Sequence, residues 1–146
     1  MPFVTLPLTA AGPVVDILVG VSDPRQAALT KGGQRLPKPG AVRALIDTGA
    51  SCTVVDTSII RALSLPRRGT MQIHTPSTDG TAHTTNQYDV SLIFELPNRL
   101  VWKLAALPVI EANFSAQGIH ALIGRDVLQH ALFTYNGPAE IFLLGF

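Results

Sequence analysis

Short apolar runs rich in β-branched residues, each cut by glycine, proline or a polar turn, dominate this chain and leave little room for long helices. The 12 Val, 10 Ile and 13 Thr favour pleated strands, and the 12 Gly and 11 Pro end them. Residues 14–21 and 41–46 are apolar runs of strand length, and 53–55, 70–74, 84–96 and 100–110 follow. Thr75-Pro76-Ser77-Thr78-Asp79-Gly80 is a turn cluster, so the runs on its two sides read as a β-hairpin. Residues 132–135 and 140–146, joined by Asn136-Gly137-Pro138, make a final hairpin. Helical signals are confined to a turn around 57–63 and to 125–132, where Val127, Leu128 and Ala131 recur at helical spacing. Residues 22–40, with Lys31-Gly32-Gly33 and Pro37-Lys38-Pro39-Gly40, read as a long polar loop whose Lys31, Arg35 and Lys38 are solvated charge. The pattern predicts an all-β barrel or sandwich with one short C-terminal helix. At 146 residues it is expected to be a single domain spanning 1–146.

Charge narrows the function classes. The formal net charge is +1, which argues against a dedicated nucleic-acid or anionic-membrane binder. Charged residues make up 14% of the chain, against about 25% in an average domain. So uncharged a surface is expected to be partly buried against a partner. The single cysteine, Cys52, excludes an internal disulfide framework and a multi-cysteine zinc site, and reads as a buried inert thiol. His74, His83, His120 and His130 show no metal-ligand spacing. No G-x-S-x-G elbow surrounds Ser51 or Ser77, and no glycine-rich phosphate loop is present. Trp102 reads as core or subunit contact. The N-terminus lacks a basic leader pattern, and the apolar runs are broken by Asp16 and Lys103, short of the roughly 20 residues of a membrane helix. A soluble, cytoplasmic protein is expected.

Asp47-Thr48-Gly49-Ala50 places a carboxylate directly after an apolar strand, where a loop leaves the core. The same tripeptide precedes two polar turns: Ala44-Leu45-Ile46 before Asp47, and Ala121-Leu122-Ile123 before Gly124-Arg125-Asp126. Between them lies the hairpin tipped by residues 75–80. In this order and spacing the chain resembles the retropepsins, single-lobe aspartic proteases, most strongly over 41–146. In that family Asp-Thr-Gly-Ala supplies the catalytic carboxylate, a hairpin flap closes over substrate, and an apolar-apolar-Gly-Arg-(Asp/Asn) stretch braces the active-site loop.

The resemblance implies Asp47 as the catalytic residue, supported by Thr48, Gly49, Gly124 and Arg125. It implies a flap of Thr75, Pro76, Ser77, Thr78, Asp79 and Gly80, and pocket walls of Leu45, Ala50, Val54 and Leu122. No metal or organic cofactor is expected. Two carboxylates held close share one proton, so one can activate water while the other protonates the leaving amine. The chain has one Asp-Thr-Gly, while Asp56 and Asp79 read as turn or helix-cap residues. The second carboxylate is therefore expected from a second copy in a two-fold homodimer acting on polypeptide substrate. The rival reading is a catalytically idle retropepsin-like dimer that binds peptides or mediates assembly. Ser51 stands where the retroviral proteases carry an acid that helps hold the arginine, which leaves the partner of Arg125 open.

Overall fold

Residues 1–74, 80–114 and 118–146 are described in the computed structural model of the chain. Among them, β1 (Phe3–Pro7) is followed by β2 (Val14–Val21), α1 (Asp23–Lys31), β3 (Gly40–Ile46), β4 (Val54–Asp56), α2 (Thr57–Ala62) and β5 (Gly69–Ile73). Then come β6 (His83–Leu96), β7 (Leu100–Ala112), β8 (Ala121–Ile123), α3 (Arg125–Leu128), β9 (Leu132–Asn136) and β10 (Ile141–Gly145).

Strand alternation builds a closed barrel. Val15, Ile17 and Val19 of β2 and Val42, Ala44 and Ile46 of β3 are buried, while Asp16 and Arg43 between them are exposed. The order β2-β3-β8-β4-β7-β6 is closed by a further pairing of β6 with β2, giving six strands with no open edge between them. The ladder of β6 with β7 shifts register between Val90 and Leu92, a bulge that bends the long strand where it also meets β2. Strand β5 hangs outside the barrel on β6, pairing antiparallel from Gly69↔Gln87 to Ile73↔His83. This is the expected hairpin; the tip residues Thr75 to Asp79 lie outside the described residues.

The two ends of the chain form a separate three-stranded sheet, β1-β10-β9, with β10 in the centre. Phe146 then stacks on Trp102 at 4.6 Å between ring centroids, and Trp102 lies 5.0 Å from the buried Phe94. Trp102 thus helps lock the C-terminus onto the barrel.

Residues 22–40 are not one loop, and the helix content is not limited to the C-terminal turn. The Ser22 hydroxyl accepts a 3.4 Å bond from the Arg25 amide, Pro24 occupies the first turn and Gly32 closes α1. Only Leu29 of this helix is buried, so it carries no apolar stripe for periodicity to reveal. It lies on the surface, tied to β7 by a 2.6 Å ion pair between Asp23 and Lys103. Helix α2 falls where the turn at 57–63 was expected, and α3 is shorter than 125–132, giving way to β9 at Leu132. Among the described residues, no helix is long and apolar enough to cross a membrane.

Candidate active site

The repeated Ala-Leu-Ile tripeptides lie side by side. Strands β3 and β8 pair in parallel, with Ala44 opposite Ala121, Leu45 opposite Leu122 and Ile46 opposite Ile123. Their C-terminal ends therefore release two loops at one place, Asp47-Thr48-Gly49 and Gly124-Arg125-Asp126. The Asp47 amide continues the ladder with a 3.0 Å bond to the Ile123 carbonyl. Strand β4 runs antiparallel to β8 on its other side, Val54 opposite Leu122. Residues 47–53 must therefore cross over the end of β8, just where Gly124 leaves it.

That crossing explains Gly124. A Cβ there would lie 2.6 Å from both the carbonyl carbon and oxygen of Cys52, a separation real side chains do not tolerate. The crossing is then pinned from several sides. The Arg125 amide bonds the Ala50 carbonyl at 2.9 Å. One oxygen of Asp126 takes the Thr53 amide at 2.8 Å; the other takes the Thr53 hydroxyl at 2.8 Å and the Val127 amide at 2.9 Å. The Thr53 oxygen in turn accepts the Gly124 amide at 3.2 Å, so this fully buried hydroxyl is satisfied as donor and acceptor. Thr53 is a brace that the residue pattern did not single out, whereas Asp126 stands at the Asp/Asn position of the bracing stretch. Thr53 reads as an ordinary strand residue until Asp126 is seen beside it.

Asp47 is partly exposed, and its Oδ1 accepts the Gly49 amide at 2.9 Å. Arg125 resolves its open question without an acid: its Nη1 donates to the Thr48 carbonyl at 2.9 Å and the Gly49 carbonyl at 3.3 Å. Thr48 and Gly49 are themselves exposed.

The cleft beside Asp47 is lined by Ala50, Val54 and Leu122 together with Ile73, His74 and Ile110. Behind them Val54, Ile110 and Phe114 form a small buried apolar cluster, against which Met71, Ile73 and Leu122 pack. The cleft floor is thus apolar. Leu45 is not part of its lining; it is half-buried and lies against Gly12. Its neighbours in β3 point into the barrel, and alternation turns Leu45 to the other side of the sheet. Of the flap residues, Gly80 is exposed with φ +76°, and the other five lie outside the described residues.

Cys52 is half-buried and also borders the cleft. Burial, then the Asp126 carboxylate, push its thiol up, against a smaller lowering by the Ser51 hydroxyl. Asp56 caps α2, as its position suggested, through the Ser58 amide at 2.8 Å, and it also takes the Phe114 amide at 2.7 Å. Among the described residues, Asp47 is the only carboxylate lining this cleft, and no cluster of three metal-ligating side chains occurs.

The sequence matches the family model described as aspartyl protease over residues 32–127. No curated protein sequence matches it. The fold is similar to that of a retropepsin-like aspartic protease from Rickettsia conorii, with a TM-score of 0.59 at 9% identity, covering 99% of this chain and 91% of that one. It is also similar to basic 7S globulin from soybean, TM-score 0.52 at 14% identity, over 98% of this chain and 42% of that one. EIAV protease aligns with a TM-score of 0.43 at 19% identity, over 81% of this chain and 86% of that one.

Proposed function

We propose, from the premise that this chain belongs to the aspartyl protease family, that Asp47 is its catalytic carboxylate and that two copies of the chain share one site. The carrying observation is that, among the described residues, Asp47 is the only acid lining its cleft, while Asp126, at the end of the neighbouring strand, is already engaged by Thr53 and Val127. An acid held by three donors and braced against a buried threonine is a poor proton carrier for a water in the cleft. The general acid must then come from a second copy of Asp47 across a two-fold axis.

In that dimer the facing carboxylates hold one proton between them, because two like charges in contact cannot both ionise. The ionised one takes a proton from water as it attacks the scissile carbonyl. The protonated one hydrogen-bonds the carbonyl oxygen, and the proton passes on to the leaving amine. The Gly49 amide supports this by fixing one carboxylate oxygen. An extended polypeptide fits between the two loops as an added strand, with apolar side chains directed at Ala50, Val54, Ile73 and Leu122. The hairpin of β5 and β6 stands beside the cleft through Ile73 and His74 and is the element suited to close over substrate.

Digestion of a proteome-derived peptide library by the purified chain tests this. Cleavage at apolar sites, inhibited by a statine-containing peptide and lost in Asp47→Asn, is the expected result. Cleavage that persists in a folded Asp47→Asn protein would remove Asp47 from the chemistry. Statine binding without cleavage would favour the idle dimer.

A further inference from the structure

The peptide group joining Thr48 to Gly49 is held at both ends by ions. Its carbonyl accepts the Arg125 guanidinium at 2.9 Å, and its N–H donates to Oδ1 of Asp47 at 2.9 Å. Both bonds are charge-assisted, and they lie in series through one planar, polarisable unit. The guanidinium draws electron density toward the carbonyl oxygen and so makes the N–H at the other end a stronger donor. Among the described residues the ion pairs are Arg68 with Asp89 and Lys103 with Asp23, so none involves Arg125. Its second bond, 3.3 Å to the Gly49 carbonyl, stops the peptide from rotating out of register.

We propose that Arg125 is a positioning residue for Asp47, setting the carboxylate through the Thr48–Gly49 peptide without touching it. This rests on the reading of Asp47 as the catalytic carboxylate. Arg125 is not part of the cleft lining, whereas Asp47 is. Arg125 thus does more than close the loop: it governs how firmly one carboxylate oxygen is held while the other reacts. The expected signature is a loss in kcat larger than any change in KM, since the guanidinium bonds only backbone carbonyls, of Thr48 and Gly49, and is not itself part of the cleft lining.

Two variants separate charge from mere bracing. Arg125→Gln keeps a neutral donor for one carbonyl, whereas Arg125→Lys keeps the charge. With a fluorogenic peptide drawn from the library digest, Arg125→Gln is expected to lose about tenfold in kcat, with KM within about twofold. Arg125→Lys should recover most of that loss. In the NMR spectrum the Gly49 amide proton should lie downfield in the wild type and move upfield in Arg125→Gln. A wild-type kcat in Arg125→Gln, or equal losses in both variants with the Gly49 amide unmoved, would overturn the proposal. Should Arg125→Gln fail to fold, the wild type decides: coupling across the hydrogen bond from Gly49 ¹⁵N to the Asp47 carboxyl carbon is expected, and its absence refutes the relay. Activity that survives in Asp47→Asn would instead defeat the catalytic reading, whatever the Arg125 variants do.

Discussion

Replacing Gly124 by alanine is the sharpest test of the crossed loop. The new Cβ would lie 2.6 Å from the Cys52 carbonyl carbon and oxygen and 3.0 Å from Oδ1 of Asp126. Backbone must retreat by about 0.8 Å to reach ordinary van der Waals contact. It cannot retreat freely. The Arg125 amide holds the Ala50 carbonyl on one side, and Asp126 holds the Thr53 amide on the other. Overpacking of a fixed site costs about 1–3 kcal/mol. Losing one of the bonds to the Asp126 carboxylate adds about 1.5–3 kcal/mol. A loss of about 3–5 kcal/mol is therefore expected, or about 10–15 °C in Tm for a chain of this size. Urea unfolding at fixed protein concentration measures it, because a dimer makes stability concentration-dependent. Gly137→Ala is the control, since its Cβ would meet only the Tyr135 ring at 3.5 Å. Peptidase activity should fall further than stability, because the displaced segment carries Asp47. A Gly124→Ala protein within about 0.5 kcal/mol of wild type and fully active would refute the crossing as drawn.

Three further outcomes follow from the same geometry. Mixing equal amounts of wild-type and Asp47→Asn chains and reassociating them should leave roughly a quarter of the activity, the share of all-wild-type dimers; about half would mean that each chain works alone. Burial by itself raises the Asp56 carboxyl, but bonds from Ser58 and Phe114, with the His120 charge, outweigh it and hold the carboxyl below its ordinary 3.8. Asp56 therefore adds stability above about pH 4 that is lost on acidification through the lowered value; urea midpoints should show Asp56→Asn flattening that acid limb, and an unchanged limb would remove Asp56 from it. Cys52, its thiol pushed up by burial and Asp126, should react with iodoacetamide at pH 8 far more slowly than a free thiol; an equal rate would contradict its placement.

What the sequence made legible was largely what repeats or alternates. The runs at 14–21, 41–46, 84–96 and 100–110 became strands because their apolar residues suit one face of a sheet or both, and tertiary packing had no reason to override them. The helix at 23–31 was hidden for the converse reason. With one buried residue it is held by its caps and the Asp23–Lys103 pair, and only Ser22-Asp23-Pro24 with Gly32 could have marked it. Strand β1 was equally silent, because a five-residue edge acquires its meaning from β10, which lies at the far end of the chain.

The candidate site divides along the same line. Asp47 and Asp126 each follow an Ala-Leu-Ile strand, by one residue and by three, and composition does not distinguish their carboxylates. What distinguishes them is the third strand. Because β4 returns along β8, Thr53 is carried to Asp126 and converts that acid into a brace, while the Asp47 carboxylate stays at the cleft. The duplicated tripeptide could therefore announce that two loops meet. The direction of β4 supplies the physical reason for the division that the family resemblance implied, drawing Asp126 into the brace and leaving Asp47 at the cleft.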